Sequence, residues 1–207
     1  MRARLINLVL FVLGQLYCAF FMPREVARYL RQMQGLARST GVAKADHTAI
    51  YRHVRRRKPR ILLELGAGQS SGVIALAMPA GARFLAVEED EAWLAHHRTV
   101  MPTDLRDKIE WLRAETEATD VGGARAARYV GLPRLAYEFV HIDGPDIGKL
   151  NAAVSCDIID LLPHLAPSCL VVFDGREASA RLARPHLEAA GFRLRRHPFT
   201  LSHEFVR

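Results

Sequence analysis

Two glycines and a carboxylate follow a short apolar run and could hold a nucleotide-type cofactor. The run Ile61–Leu65 predicts a strand that carries Glu64 near its end and leads into Gly66-Ala-Gly68. Glycine permits a sharp bend, or a close approach of the backbone to a ligand. The amides at the start of a following helix can hold a polar or anionic group. We therefore expect Glu64 and the glycine turn to face one crevice.

A second carboxylate lies about twenty residues further along the chain, which is the spacing of a βαβ cofactor fold. Phe84–Val87 predicts another strand, and Glu88 follows it directly. An acid at that position accepts hydrogen bonds from ribose hydroxyls. The third glycine of a dinucleotide fingerprint is displaced to Gly72, which weakens a nicotinamide interpretation. A tight turn without a ligand stays an alternative for the glycines.

Four segments of the chain resemble motifs of the class I S-adenosylmethionine-dependent methyltransferases. They are, in motif order, Glu64–Ser71, Ala86–Leu94, Phe139–Pro145 and Leu170–Gly175. The likeness extends over residues 47–207 and is closest to the small-molecule O-methyltransferase-like branch, in which Asp-Gly follows the fourth strand. It implies S-adenosylmethionine as the cofactor and a small-molecule or lipid-like acceptor that is methylated at oxygen.

The resemblance also implies which residues contact the cofactor. Gly66, Gly68 and Ser70 would line its methionine and ribose side, with Glu64 nearby. Glu88 would accept from the ribose hydroxyls, and Glu115, just after the third strand, would reach the adenine amino group.

Two aspartates are the candidate catalytic residues. Methyl transfer from a sulfonium is largely a matter of alignment, and a hydroxyl acceptor also gains from a base or a metal ion. Asp143 and Asp174 each follow a predicted strand, at the edge where such sheets place their ligands. Metal-dependent relatives carry a further acid or amide directly after the second aspartate, where this chain has Gly175. Magnesium is therefore doubtful and no metal ligand is assigned; simple turn capping by the aspartates is the alternative.

The elements that must position these residues alternate along the chain. Apolar runs alternate with segments of helical length, which favours an α/β fold with a parallel sheet. The runs are Ile61–Leu65, Phe84–Val87, Ile109–Leu112, Tyr137–Ile142 and Cys169–Phe173. Phe192–Phe199 and Leu201–Val206 are too close for a crossover helix and should pair antiparallel. We predict a Rossmann-like parallel sheet with helices on both faces, closed by a C-terminal antiparallel hairpin.

Residues 1–46 predict an apolar and basic arm ahead of a catalytic domain at residues 47–207. The segment 5–22 is almost entirely apolar, and Arg2 and Arg4 precede it. At about 1.5 Å per residue, a helix of this length just matches a hydrocarbon core of about 30 Å. The interpretations are a membrane anchor, a buried or partner-facing helix, and a secretion signal. We expect a transmembrane or membrane-surface role, with the catalytic domain cytoplasmic at the inner face.

Charge is concentrated in the same part of the chain. The whole chain carries 29 basic and 22 acidic side chains, a net charge of +7. Residues 24–60 contain 11 basic and 2 acidic side chains, which favours contact with anionic lipid head groups. Nucleic acid is the rival partner. Methyltransferases that act on nucleic-acid bases carry an aromatic residue after the fourth strand, which stacks on the flipped base. The corresponding segment here, Asp143-Gly-Pro-Asp146, has no aromatic residue. Nucleic acid is therefore not expected, and no oligomeric state is assigned.

Two functions of other classes remain open at this stage. The chain could be a catalytically inactive methyltransferase-like domain that acts as a membrane-associated interaction module. It could also be a nicotinamide-dependent oxidoreductase. Cofactor binding separates all three functions.

Overall fold

The computed structural model describes residues 13–36, 44–197, 199–200 and 202–207. Its helices are α1 (13–21), α2 (Arg24–Met33), α3 (Lys44–Arg57), α4 (Gln69–Ala77), α5 (Glu91–Val100), α6 (Thr103–Arg106), α7 (Asp157–Leu161) and α8 (Glu177–Ala189). Its strands are β1 (Ile61–Leu65), β2 (Arg83–Glu88), β3 (Glu110–Arg113), β4 (Thr116–Val121), β5 (Ala124–Tyr129), β6 (Tyr137–Ile142), β7 (Val154–Ser155), β8 (Leu165–Phe173), β9 (Arg193–Arg196) and β10 (His203–Val206). Short 3-10 helices span Ile147–Leu150 and Leu162–His164.

The central sheet has seven strands in the order β3-β2-β1-β6-β8-β10-β9. The first five of these pair in parallel, and β10 pairs antiparallel with both β8 and β9. The predicted parallel sheet closed by a C-terminal antiparallel hairpin is confirmed. Strand order reverses between β1 and β6, and sheets of this kind bind ligands outside the carboxyl ends of their strands at the reversal.

Helices cover both faces of this sheet. Leu62 of β1 packs in one apolar cluster with residues of α2, α3 and α4, whereas Leu63 and Leu65 pack in another with residues of α7 and α8. Successive side chains of a strand point to opposite faces, so a continuous apolar strand suits a sheet that is covered on both. The predicted Rossmann-like arrangement of helices is confirmed.

Strands β4, β5 and β7 form a separate sheet that the sequence analysis did not predict. β4 and β5 pair antiparallel around Gly122 and Gly123, whose φ angles are 59° and 81°. A positive φ at both central residues is the mark of a type I′ hairpin turn. β4 is largely polar, and β5 is mostly alanine and arginine, so a search for apolar runs passed over them, and the Gly-Gly pair was the available signal.

The C-terminal hairpin is shorter than the segments that predicted it. β9 and β10 replace Phe192–Phe199 and Leu201–Val206, and positions 198 and 201 lie outside the described residues. The hairpin is tied to α3 by the buried carboxylate of Glu204, whose Oε1 lies 2.8 Å from His53 Nε2. The last strand is thereby fixed to a helix that precedes the whole sheet.

The amino-terminal helices differ from the predicted arm. Residues 5–12 of the predicted apolar segment lie outside the described residues, and α1 ends at residue 21, before Pro23. Across the described part of the chain, every helix is too short or too polar to cross a bilayer, so the predicted transmembrane helix is not supported. Helix α2 buries Val26 and Met33 completely in the core shared with the sheet. The boundary predicted between residues 46 and 47 falls within α3.

Candidate functional site

A crevice of about 800 Å³ lies at the carboxyl ends of the central strands. This volume is typical of small-molecule sites. Its walls come from the loops after β1, β2, β6 and β8 and from the first turn of α8. The lining residues are Gly66, Ala67, Glu88, Glu89, Asp90, Trp93, Asp143, Gly144, Asp146, Ile147, Lys149, Ala153, Gly175, Arg176, Glu177, Ala178 and Ser179.

Gly66 allows two of these loops to meet. It has a φ of +90°, and a Cβ on it would lie 2.5 Å from the backbone nitrogen of Gly144. The Asp143 amide donates to the Leu65 carbonyl at 2.8 Å, and the Gly144 amide donates to the same oxygen at 2.6 Å. The sequence expected a glycine that bends towards a ligand. The structure adds that a side chain at this position would separate the loops after β1 and β6.

The other residues of the glycine turn point elsewhere. The Gly68 amide donates to Ser71 Oγ at 3.0 Å, and Ser71 in turn donates to Glu64. Ser70 is buried, and among the described residues neither Gly68 nor Ser70 belongs to the crevice wall. The start of α4 is covered by Tyr29 of α2, whose hydroxyl donates to the Gln69 carbonyl at 3.1 Å. Gly68 and Ser70 thus shape the turn from behind.

Glu88 ends β2 and lies in the crevice wall, where the sequence predicted it. Its Oε1 accepts from the amides of Glu89 and Asp90, both at 3.0 Å. Burial, with the neighbouring Glu89 carboxyl as a lesser cause, raises the pKa of Glu88 to about 8. Glu89 is held by the Tyr129 hydroxyl at 2.6 Å and the Asp146 amide at 2.8 Å. Two adjacent carboxylates therefore form one wall of the crevice.

Glu115 lies away from this wall. Its side chain is 78% exposed, and its carboxylate is 4.0 Å from the Arg113 guanidinium. The chain after β3 turns into the β4–β5 hairpin, and Glu115 is not among the described residues that line the crevice. The loop around Asp146 and Ile147 lines the crevice beyond β2 instead. Glu115 therefore lies outside the described lining of the crevice, and its contact with the adenine amino group stays a prediction.

A buried row of ionisable groups lies behind the crevice floor. Glu64 Oε1 lies 3.0 Å from His141 Nδ1, and His141 Nε2 lies 3.9 Å from Asp174 Oδ2. Glu64 and His141 are fully buried. Glu64 thus contacts His141 and Ser71, whereas the sequence had aimed it at the cofactor crevice. The strand face that His141 shares with Asp143 was the available signal in the sequence.

The pKa values of this row are shifted by burial and by one another. Burial would lower the pKa of His141, but the hydrogen bond and charge of Glu64, together with Asp174 and Asp143, raise it to about 9. Burial raises the pKa of Asp174 to about 7, against the opposing effect of His141. Burial also raises the pKa of Asp143, against His141 and Arg176. Buried carboxyls with raised pKa values are suited to take up a proton at neutral pH.

Arg176 closes the row on the crevice side and was missed by the sequence analysis. Its Nη1 donates to the Pro145 carbonyl at 3.0 Å, and its Nη2 donates to the Asp143 carbonyl. Its Nε lies 3.9 Å from Asp143 Oδ1. Arg176 follows Gly175, whose positive φ of +62° turns the chain back over the loop after β6. Arg176 is therefore a cation held in place beside Asp143, the candidate catalytic residue.

The aspartates do not fit a magnesium site. Within the described ranges, no group of three or more His, Cys, Asp or Glu side chains is arranged to hold a metal ion. Asp143 and Asp174 face the cations Arg176 and His141. Gly175 stands where metal-dependent relatives carry a third ligand. The chemistry of this site is therefore derived from the protein's own side chains.

No protein-family model and no curated protein matches the sequence. Solved structures do match it. The O-methyltransferase from Bacillus cereus in complex with SAH has a TM-score of 0.59 at 13% identity, over 95% of this chain and 97% of that one. The O-methyltransferase TomG from Streptomyces achromogenes, in complex with SAM, has a TM-score of 0.53 at 16% identity, over 92% and 94%.

A precorrin-6y C5,15-methyltransferase from Geobacter metallireducens is a further structural match. Its TM-score is 0.56 at 14% identity, over 84% of this chain and 92% of that one. Identities this low establish a shared fold, and the coverage shows that the shared fold extends over nearly the whole of each chain. The chain therefore has the fold of the class I S-adenosylmethionine-dependent methyltransferases, as its four sequence motifs predicted.

Proposed function

We propose that the protein is an S-adenosylmethionine-dependent methyltransferase that methylates an oxygen of a small-molecule or lipid-like acceptor. The observation that carries this proposal is the charge of the crevice at the strand-order reversal. Six acidic and two basic side chains line it. S-adenosylmethionine has a net positive charge from its sulfonium and amino groups, so it suits such walls, whereas the diphosphate of a nicotinamide cofactor is repelled.

Similar structures support the same cofactor. The Bacillus cereus enzyme holds SAH and TomG holds SAM. We assign the ribose hydroxyls to Glu88, because its carboxylate ends β2 in the crevice wall. Gly66 lines the crevice and would contact the methionine part. Gly68 and Ser70 would act through the shape of the turn.

The transfer step needs few groups. Bound S-adenosylmethionine would supply an activated methyl group, so the protein has to align the acceptor oxygen with it. The hydroxyl proton passes to Asp143, which lines the crevice and has a pKa raised by burial. Asp174 and the Glu64–His141 pair are the buried charged groups near Asp143. Alignment of the acceptor with the methyl group supplies most of the rate.

Thermal unfolding with added ligand tests the cofactor. Full-length protein should be stabilised by S-adenosylmethionine and S-adenosylhomocysteine, by about 2.7 kcal/mol at one hundred times the dissociation constant. NADH should give no shift, and magnesium should leave the shifts unchanged. Stabilisation by NADH alone would replace the proposal with an oxidoreductase. A folded protein that responds to none of them would favour the inactive interaction module.

We also propose that α1 contacts a membrane surface from the cytoplasmic side, without spanning it. Leu16, Phe20 and Phe21 are 51%, 79% and 45% exposed on this helix. Arg24 begins the next helix, and the Arg52 guanidinium lies 5.1 Å from the centre of the Phe21 ring. Exposed aromatic residues flanked by arginines suit the interface of an anionic bilayer.

Vesicle flotation tests the membrane proposal. The protein should float with vesicles that contain phosphatidylserine and should stay behind with neutral vesicles. Phe20→Ser should reduce flotation several-fold and leave cofactor binding unchanged. The exposed change Gln32→Ser on α2 is the matched control. Equal flotation by Phe20→Ser and the wild type would remove α1 as the contact.

A further inference from the structure

A second cavity, of about 480 Å³, lies between α2, α3 and the start of α4. One side is apolar and is formed by Met22, Leu30 and Met33. The turn after β1 contributes to both cavities: Gly66 and Ala67 line the crevice, whereas Gln69 lines the second cavity. The two cavities are therefore both lined by residues of the turn Gly66–Gln69.

His47 of α3 is the unusual residue in this second cavity. It is 1% exposed, and within the described part of the chain neither of its ring nitrogens has a hydrogen-bond partner. A buried polar group without a partner is costly, because it loses its bonds to water and gains none in exchange. His47 lines the cavity, so a polar group bound there would supply the missing partner.

The ring of His47 is neutral, which limits what it can bind. Burial, with the neighbouring positive charge of His141 as a lesser cause, lowers the pKa of His47 to about 4. A neutral imidazole has one nitrogen that accepts a hydrogen bond and one that donates. A hydroxyl group, which can do both, matches it. The charge of His141, which belongs to the row behind the crevice, therefore also acts on His47 in the second cavity.

The charged residues around the second cavity are all basic. Arg31 and Lys44 line it, and none of its described lining residues is acidic. The crevice has the opposite character, with six acidic side chains against two basic ones. A ligand of the second cavity is therefore expected to carry an anionic group, with an apolar body against Met22, Leu30 and Met33.

We propose that the second cavity binds the methyl acceptor, that the acceptor is an anionic amphiphile, and that a hydroxyl group of the acceptor other than the one that is methylated hydrogen-bonds to His47. The anionic group lies at Arg31 and Lys44, and the apolar body lies along α2. His47 is a binding and positioning residue in this arrangement. The identity of this ligand as the methyl acceptor rests on the proposed methyltransferase function. Binding in the cavity is tested separately.

Three probes that differ in one group each define the site. They are 10-hydroxydecanoate, decanoate and 1,10-decanediol. Binding of each is measured by displacement of the anionic fluorophore 8-anilinonaphthalene-1-sulfonate from full-length protein, with and without S-adenosylhomocysteine. We expect 10-hydroxydecanoate to bind about fivefold more tightly than decanoate, the size of one hydrogen bond. The diol, without the anion, should bind more weakly than 10-hydroxydecanoate.

Two variants and one matched control identify the place of binding. His47→Phe keeps a flat ring and should erase the difference between 10-hydroxydecanoate and decanoate; a merely structural role would weaken both probes equally. Ala27→Trp, from a half-buried position in the cavity wall, should abolish the binding of both. Gln32→Trp, on the exposed side of the same helix, should change neither.

The outcomes separate this inference from the proposed function. Probes that bind with the expected pattern, in a protein that does not bind S-adenosylhomocysteine, would support the cavity and remove the methyltransferase. S-adenosylhomocysteine binding with no displacement by any probe would overturn the cavity and leave the methyltransferase. Unchanged displacement in both His47→Phe and Ala27→Trp would also overturn it, because the probes would then lie elsewhere, for instance on α1.

Discussion

The crevice and the second cavity differ in charge although one turn of backbone, Gly66–Gln69, contributes to both. The crevice is ringed by carboxylates from the ends of β2 and β6, whereas the second cavity is ringed by Arg31 and Lys44 on the amino-terminal helices. A protein that joins a cationic methyl donor to an anionic acceptor can direct each to its own cavity by charge alone. The helices or strand ends that line a cavity can therefore determine the charge of the ligand that the cavity binds.

The largest expected effect comes from the turn that both cavities share. Gly66→Ala should lower the free energy of unfolding by about 2–4 kcal/mol, because the new Cβ meets the Gly144 backbone at a positive φ. S-adenosylhomocysteine binding should be lost with it. Urea unfolding and calorimetric titration measure the two effects.

Gly68→Ala is the control for this change. A Cβ on Gly68 meets nothing within 4 Å, and its φ of −169° is extended. We expect a loss of less than about 1 kcal/mol. Equal losses at the two positions would mean that the shared turn is not held by the contact between Gly66 and Gly144.

The acidic side of the comparison depends on Glu88. Glu88→Gln should weaken S-adenosylhomocysteine binding by about 10- to 100-fold, the range for a polar group that loses its buried hydrogen-bond partner. The binding of 10-hydroxydecanoate in the second cavity should stay unchanged. Glu115→Gln, an exposed carboxylate outside the crevice, should bind the cofactor product as the wild type does. A large effect at Glu115 would support the adenine contact that the sequence predicted.

The row behind the crevice should make stability depend on pH. The pKa of His141 is raised to about 9 in the folded protein from the ordinary 6.5. Its contribution is therefore fully present below pH 6.5 and is lost as the pH rises through 9. The stability advantage of the wild type over His141→Gln should be greater at pH 6 than at pH 9.5, by on the order of 2 kcal/mol.

Urea unfolding of both proteins at the two pH values measures this difference. Glu88 and Asp174 also titrate in this range, so only the difference between the wild type and the variant is diagnostic. An advantage that grows with pH would show that His141 is neutral in the folded protein, and the row would then be a chain of neutral hydrogen bonds.

The smallest effects belong to the basic side of the comparison. Arg31→Gln and Lys44→Gln should each weaken 10-hydroxydecanoate by about two- to fivefold, because both side chains are exposed at the cavity mouth and are screened by water. Salt should weaken binding in the wild type more than in the double variant. Arg28→Gln, on the exposed face of α2, should have no effect.

The sequence predicted the fold and three of the residues that line the crevice, Gly66, Glu88 and Asp143, for identifiable physical reasons. Gly66 and Glu88 were found because close backbone approach and an acid at a strand end leave a local mark. The contrast with Glu115 is informative: it was assigned from its place after β3, but the next segment is the β4–β5 hairpin, and the Glu115 side chain is exposed outside the crevice lining. Prediction from strand order assumed a regular crossover after β3.

Other residues left no local mark at all. Arg176 and His47 occupy ordinary positions in the sequence, a loop and a helix, and their importance comes from what packs around them in three dimensions. His141 could be placed on the face of Asp143 by alternation, but its contact with Glu64 required the register of β1 beside β6. Burial of polar groups is set by tertiary packing, so sequence patterns alone did not reveal this row.

The packing of Tyr29 against Gly72 has a consequence for how the protein can be shortened. A Cβ on Gly72 would overlap the Tyr29 ring, so the two positions form one unit of shape shared by α2 and α4. Removal of the first forty residues would uncover the start of α4 and expose the apolar surface that α2 covers. Any fragment meant for activity measurements should therefore begin before Arg24, and a change at Gly72 should be paired with a smaller residue at position 29.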